Sequence, residues 1–322
     1  MRTHRSQIIE LIDQGVIPPD KVDAALVAAQ VEPKGADWRT FIDQLLLWLG
    51  GLALAFSVLF FIAYNWDGMG RITKFGMVQG IIILAIVAYW LLDEYTTASR
   101  VSLMVATLNL GVLLALYHQS YQTGADPWQL FVGWALLMLP WAFIGHFAAI
   151  WIVWVVLMNI AIFLYYQAFQ NIIWIGFGPK EMLWLIFLFN TIVVVIWESM
   201  AIRLHNLSPR WAIRLVAMGS GFSMTWIVMS AIFDPRDAGE FLGLAWAGWL
   251  VLLYVGYRHL RFDLFMLTGV CLSVIVVSVT YLGDTLLDDW TPGGFLLLAL
   301  VVTGMGAGST FWLKHIHQEA QT

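Results

Sequence analysis

The sequence predicts an all-α, polytopic integral membrane bundle of about ten transmembrane helices, with both ends in the cytoplasm and a small N-terminal cytoplasmic helical hairpin. Three observations carry that prediction. Ten apolar stretches nearly free of Asp, Glu, Lys and Arg follow one another between Gln44 and Leu313, and a bilayer core takes about 20 apolar residues per helix. Hydrophobic residues make up 61% of the chain and charged residues 11%, against about 25% charged in a soluble domain. Positive charge, finally, alternates between connections in the way that fixes orientation.

Residues 1–34 read as two short helices around Gly15-Val16-Ile17-Pro18-Pro19-Asp20. Ile8, Ile9, Leu11 and Ile12 share a face of the first, and Val22, Ala25, Leu26 and Ala29 recur at helical spacing in the second. This hairpin is either a regulatory or partner-docking module or a cap on the inner connections. No signal-peptide pattern precedes the first apolar run, which keeps the N-terminus on the side of synthesis. Residues 35–43 read as a linker, with Trp38 to Asp43 leading into the bilayer.

The ten spans are predicted at 44–64, 75–92, 101–117, 128–145, 147–169, 182–197, 212–233, 241–257, 264–282 and 294–313, with 314–322 as a cytoplasmic tail. Two runs meet at Gly145-His146 without a charge between them. Together they are too long for one helix without extreme tilt, so they divide there, with Pro140 as a kink. The sixth span is short and can draw on Gly176 to Pro179. The runs are too long and too uniform for the alternating pattern of a membrane β-barrel, and helices satisfy the backbone within the lipid.

Starting from a cytoplasmic N-terminus, the inner segments hold Arg2, Arg5, Lys21, Lys34, Arg39, Arg100, Arg203, Arg210, Arg214, Arg258, Arg261 and Lys314 out of 16 basic residues. Only Arg71, Lys74, Lys180 and Arg236 fall outside. Removing one span would invert every later connection and destroy that agreement. Of the 18 Trp, Trp66, Trp90, Trp128, Trp174, Trp211, Trp290 and Trp312 sit at run ends, as interfacial belt residues do. Trp134, Trp154, Trp184, Trp226 and Trp246 lie within runs and pack between helices or face lipid. Spans one to four and seven to ten also share a layout, ending in outer segments with Tyr, Asp and Trp, in the manner of parallel transporter repeats. Chance similarity among apolar helices explains that echo equally well.

Two groups of residues are candidates for function. After the third span, Tyr117-His118-Gln119-Ser120-Tyr121-Gln122-Thr123-Gly124-Ala125-Asp126-Pro127-Trp128 is dense in donors, acceptors and one imidazole and has no Lys or Arg. His118, Gln119, Tyr121, Gln122 and Asp126, with Asn65 and Asp67 from the end of the first span and the acidic segment at Asp284 and Asp288-Asp289, form a candidate outer-face pocket or acid–base pair. The alternative is a turn at Gly124, a helix cap at Asp126 and an anchor at Trp128. Within the bilayer, Gln79, Asn109, Asn159 and Asn190 are either a neutral polar path for an uncharged or zwitterionic solute or interhelical hydrogen-bond glue. Charged midplane groups of the sort that drive coupled carriers are absent from the spans. Glu198 stands near the inner end of span six.

Residues Ala63-Tyr64-Asn65-Trp66-Asp67 and Gln119 to Asp126, followed by Leu130-Phe131 and Trp134 through Leu139-Pro140, resemble the bacterial predicted-membrane-protein family catalogued as domain of unknown function 2157. The resemblance spans about residues 5–145. It implies a bacterial inner-membrane protein that works beside other membrane proteins of the same operon, and it implies no activity. His118 is not part of that resemblance.

Other function classes lack their residues. One cysteine, Cys271, rules out an internal disulfide and thiol-metal chemistry. His315-x-His317 lacks a third ligand, so no metal and no cofactor is expected. Phosphate-binding, nucleotide and hydrolase motifs do not occur, and a formal charge of -5 argues against nucleic acid as a partner. Arg203 to Arg214 and Arg258-His259-Leu260-Arg261 read as topology determinants and contacts for anionic lipid. Three functions stay open: a transporter-like or solute-binding protein, a non-catalytic membrane-complex subunit or sensor, and a membrane enzyme built on His118.

Overall fold

A computed structural model describes residues 11–12, 14–18, 21–22, 25–26, 35–94, 96–122, 124–169, 178–201, 210–234, 241–286 and 292–320. The helices among them are α1 (Gly35–Tyr64), α2 (Arg71–Leu91), α3 (Thr97–Tyr121), α4 (Pro127–Leu137), α5 (Leu139–Gly145), α6 (Ala148–Phe169), α7 (Pro179–Ala201), α8 (Arg210–Phe233), α9 (Leu242–Val255), α10 (Leu264–Leu286) and α11 (Pro292–Glu319). A π-helical turn, Gly256–Leu260, continues α9. Among the described residues there is no strand, and 9 helices are long and apolar enough to cross a membrane. Most of the hairpin read at residues 1–34 lies outside the described residues, although Gly15 does sit at a turn, with φ of 71°.

The predicted spans fall on these helices, with differences at their ends. The segment read as a linker, 35–43, is helical. Asp37, Arg39 and Asp43 interrupt the apolar run without interrupting the backbone pattern, and the Thr40 hydroxyl donates to the Ala36 carbonyl at 3.0 Å. The tail read from 314 is likewise helical through Glu319. At the junction read at Gly145, α5 ends and His146 takes left-handed φ of 50°. Pro140 also breaks the fourth span as expected, since it lacks an N–H and its ring crowds the Leu136 carbonyl. The break separates α4 from α5 at Met138.

The chain forms two compact units, Met1–Leu116 and Tyr117–Ala320. In the first, α1 and α3 approach closely at Gly51, where an added Cβ would stand 2.3 Å from Val101 Cγ1. Gly51→Ala should therefore destabilise the unit by about 1 kcal/mol, the lower end of overpacking costs because Val101 can rotate. Thermal unfolding in detergent should show that loss and its recovery when Val101→Ala is added.

The second unit is an up-and-down bundle in which α8 packs against α7 and α10, α4 against α6, and α10 against α11. Its buried side chains form three levels along the helix axes. Trp197, Ile213, Tyr257, Leu267 and Ile316 meet at one end; Phe187, Met224, Trp249 and Leu250 meet midway; Ile227, Val228, Ala231, Leu242 and Val277 meet at the other. Because α9 contributes to the far level through Leu242 and its π turn to the near level through Tyr257, this segment crosses the unit as the predicted eighth span. The α-helical part holds only 14 residues, but with the π turn it extends about 28 Å at 1.5 Å per residue, close to a bilayer core. Lipid supplies no hydrophobic drive for helices to associate, so dispersion and polar contacts must hold these levels together.

Candidate functional site

The residues of the predicted outer-face pocket are divided between the two units. Asn65 and Asp67 belong to the first. There the Asn65 amide donates to the Phe61 carbonyl at 2.9 Å, a helix-ending bond that occupies the side chain locally, and Asp67 is exposed. His118, Gln119 and Tyr121 form the last turn of α3, in the second. Tyr117 and Tyr121 lie one turn apart with ring centroids 4.9 Å from each other, and the half-buried His118 imidazole meets the Tyr117 ring edge-on. Gln122 and Gly124 turn the chain with φ of 44° and 65°, where glycine carries no Cβ penalty. Asp126 occupies the cap position of α4 without a side-chain cap bond, Pro127 opens the helix, and Trp128 packs edge-on against Tyr165 at 5.2 Å. These contacts fit the turn, helix start and aromatic anchor of the alternative reading. Asp284 is exposed at the end of α10, while Asp288, Asp289 and Trp290 lie outside the described residues.

Of the intramembrane candidates, the structure brings Asn159 and Asn190 together. Each amide donates to the other's oxygen, at 3.2 Å from Asn159 and 2.7 Å from Asn190. Each also donates to the carbonyl four residues back, Val155 and Ile186 respectively, at 2.8 Å. Gly219 on α8 leaves the room this pair needs, since a Cβ there would stand 3.3 Å from Asn190 Oδ1. All four amide protons are thus used inside the bundle. Gln79 and Asn109 belong to the first unit. Gln79 is exposed, whereas Asn109 is fully buried, with its amide bonded to the Val105 carbonyl at 2.9 Å and its oxygen unpartnered.

The densest polar constellation was not singled out by sequence. At the near level of the second unit, Glu198 accepts from Arg210 Nη1 at 2.8 Å and from Arg261 Nη1 at 2.6 Å, and Tyr257 donates to it as well. Asp263, with a side chain only 1% exposed, takes both nitrogens of an Arg214 fork at 3.0 and 3.2 Å and lies 3.7 Å from Arg210 Nε. Its Oδ1 also accepts from the Phe265 amide at 3.1 Å, capping α10. Arg258 pairs with Glu319, and His315 lies 3.1 Å from the same carboxylate. The π turn sets this up by turning Tyr257 inward while Arg258 and Arg261 reach α11 and α7.

Of the arginines read as topology determinants and lipid contacts, Arg210, Arg214, Arg258 and Arg261 are ion-paired; Arg203 lies outside the described residues. The signal in the sequence was the pair of acids at span edges: Glu198 ends one apolar run and Asp263 directly precedes another as a cap. Chemically the cluster clamps the ends of α7, α8, α10 and the π turn through charge-assisted bonds. It presents no nucleophile. His317 stacks on Phe262, apart from the partner of His315, and among the described residues no three His, Cys, Asp or Glu side chains converge.

Further polar contacts join helices of the unit to one another. Thr191 and Ser220 share a hydrogen bond of 2.7 Å, and Ser273 bonds Thr225 at 2.8 Å while accepting from the Trp246 indole at 3.1 Å. Trp154 packs on Trp151 and Phe189, and Trp226 faces outward, as expected for tryptophans inside spans. Trp174 is outside the described residues.

In the first unit a groove of about 610 Å³ runs along α1 and the start of α3. Leu46, Leu47, Gly50, Leu54 and Val101 line it, with Asp43 and Ser102 supplying its polar atoms. No atom lies within 4 Å of where a Gly50 Cβ would stand, so the helix backbone itself is open to an occupant.

Comparison with known proteins finds no similar curated protein and no similar solved structure. One family model matches, over a segment that holds the groove, the polar turn after α3 and the break at Pro140. The model of the family described as predicted membrane protein, domain of unknown function 2157, matches residues 10–151.

Proposed function

We propose that the protein is a non-catalytic subunit of a membrane assembly, seated in the bacterial inner membrane with both ends in the cytoplasm, and that the groove along α1 and α3 receives a helix of another membrane protein. The observation that carries this reading is the open backbone at Gly50 within a wall of leucines. In lipid, helices associate where small residues let backbones approach and where a polar side chain finds a partner. Gly50 supplies the first condition, and Asp43 with Ser102 the second. A suitable partner is a transmembrane helix carrying a hydrogen-bond donor near the membrane surface, such as one encoded in the same operon.

The second unit supports this reading as a brace. Asn159 and Asn190 are committed to each other and the near level is clamped by ion pairs, which suits a rigid support more than a solute path. Orientation rests on the distribution of basic residues, and the bacterial inner membrane rests on the family.

A photo-crosslinking residue at Leu47, in native membranes, should yield one discrete protein adduct. Gly50→Leu fills the groove where no atom opposes it, so it should leave the fold intact and abolish that adduct. An adduct that survives Gly50→Leu, or lipid adducts alone, would reject the docking face.

A further inference from the structure

Two stripes run side by side along α1. Ala55, Val58 and Ile62 recur at intervals of three and four residues and are buried, so they face the first unit. Beside them Asp43, Leu47, Gly50, Leu54, Ser57 and Phe61 recur at alternating intervals of four and three, and every one of them is exposed. That is the heptad spacing of a left-handed helix pair, in which one stripe stays against a neighbour along the whole length of both helices. The groove takes in Asp43, Leu47, Gly50 and Leu54, and Ser57 with Phe61 carries the same line beyond it.

Asp43 discriminates between neighbours for this stripe. Among the described residues its carboxylate has no ion-pair partner. A second copy of this chain fits poorly. Both copies enter the membrane in one direction, so a symmetric pair sets each stripe residue against its own equivalent, and Asp43 would meet Asp43. Like charges placed across an interface disfavour it. A neighbour with Lys or Arg at that level makes a charge-assisted contact instead, and the cytoplasmic ends of membrane helices are where such residues concentrate.

We infer that the stripe from Asp43 to Phe61 is the contact face for one transmembrane helix of a different protein, whose cytoplasmic end carries a Lys or Arg that pairs with Asp43. This pairing presupposes that the groove is a docking site, and it adds the extent of the interface and the charge of the occupant.

Photo-crosslinking residues at Leu54 and at Leu52, in the full-length protein in native membranes, test it. Leu54 should give the same protein adduct as Leu47. Leu52, exposed on the other flank of the buried stripe, should give lipid adducts only. Mass-spectrometric sequencing of the Leu54 adduct should find Lys or Arg at the cytoplasmic end of the crosslinked helix. Asp43→Lys should lower the adduct yield at Leu54 about tenfold as like charges meet, Asp43→Asn should lower it about threefold, and Asp43→Glu should retain it. Because Asp43 is exposed, all three variants should fold. Changing the partner's cation to Glu should restore the yield with Asp43→Lys. A wild type without a protein adduct at Leu47 and Leu54 would reject the docking site and the pairing with it. A wild-type adduct that persists undiminished in Asp43→Lys, or one formed with another copy of this chain, would overturn the cationic partner and leave the docking site standing. Equal protein adducts at Leu52 and Leu54 would overturn the stripe.

Discussion

Replacing Asp263 with alanine should cost the second unit about 3 kcal/mol, the range measured when one member of a buried ion pair is removed. The carboxylate is almost wholly inaccessible and serves Arg214, Arg210 and the first turn of α10 at once. Without it, two guanidiniums remain at the bundle end with only Glu198 to share, alongside Arg261. The lost cap adds about 1 kcal/mol to the expected range. Asp263→Asn should fall between wild type and alanine, because its oxygen can still cap Phe265 while its charge is gone. Arg214→Ala should cost less than Asp263→Ala, since the Arg214 side chain is 39% exposed and partly solvated. Thermal or denaturant unfolding of the purified protein would measure the order: alanine at 263 worst, asparagine next, and Arg214→Ala mildest. Equal stability of Asp263→Ala and wild type would mean that the clamp contributes nothing.

How much of this was legible in the sequence depended on the range of the signal. Span number and order follow from hydropathy, which averages over a helix length and so survives errors at single residues. The Pro140 break was readable because proline acts on its own backbone, and the Gly145 junction because the two runs that meet there exceed the length of one span. Helix ends were less so. Asp37, Arg39 and His315 lower hydropathy without disfavouring helix, so α1 and α11 run past the apolar limits read for them. The clamp was hidden for a different reason. Glu198 and Arg214 flank one chain connection and Tyr257 and Asp263 lie at another, and only packing reveals that they share one end. The same distance effect decided the fate of the asparagines, which sequence presented as four similar polar residues. Structure distinguishes a reciprocal pair in one unit from a solitary, half-satisfied Asn109 in the other.

That pair gives the second large effect. Asn190→Leu should destabilise the bundle by about 2 kcal/mol, since it strands the Asn159 oxygen and one amide proton in hydrocarbon, where no water replaces the partner. Asn159→Leu should cost a similar amount by the same reasoning, with less strain because Asn190 alone lies against Gly219. Combining the two changes removes both polar groups and leaves apolar side chains of similar volume facing each other. The double variant should therefore recover most of the loss, giving a coupling of about 3 kcal/mol in a double-mutant cycle, the upper end for residues in contact. Steric-trap or detergent unfolding measures all four proteins on one scale. A solute path would behave differently: polar lining exposed to water loses little stability when one amide is removed, and a second removal adds its own cost. Additive losses without coupling would thus reinstate the path, whereas recovery in the double variant assigns the asparagines to holding α6 and α7 together.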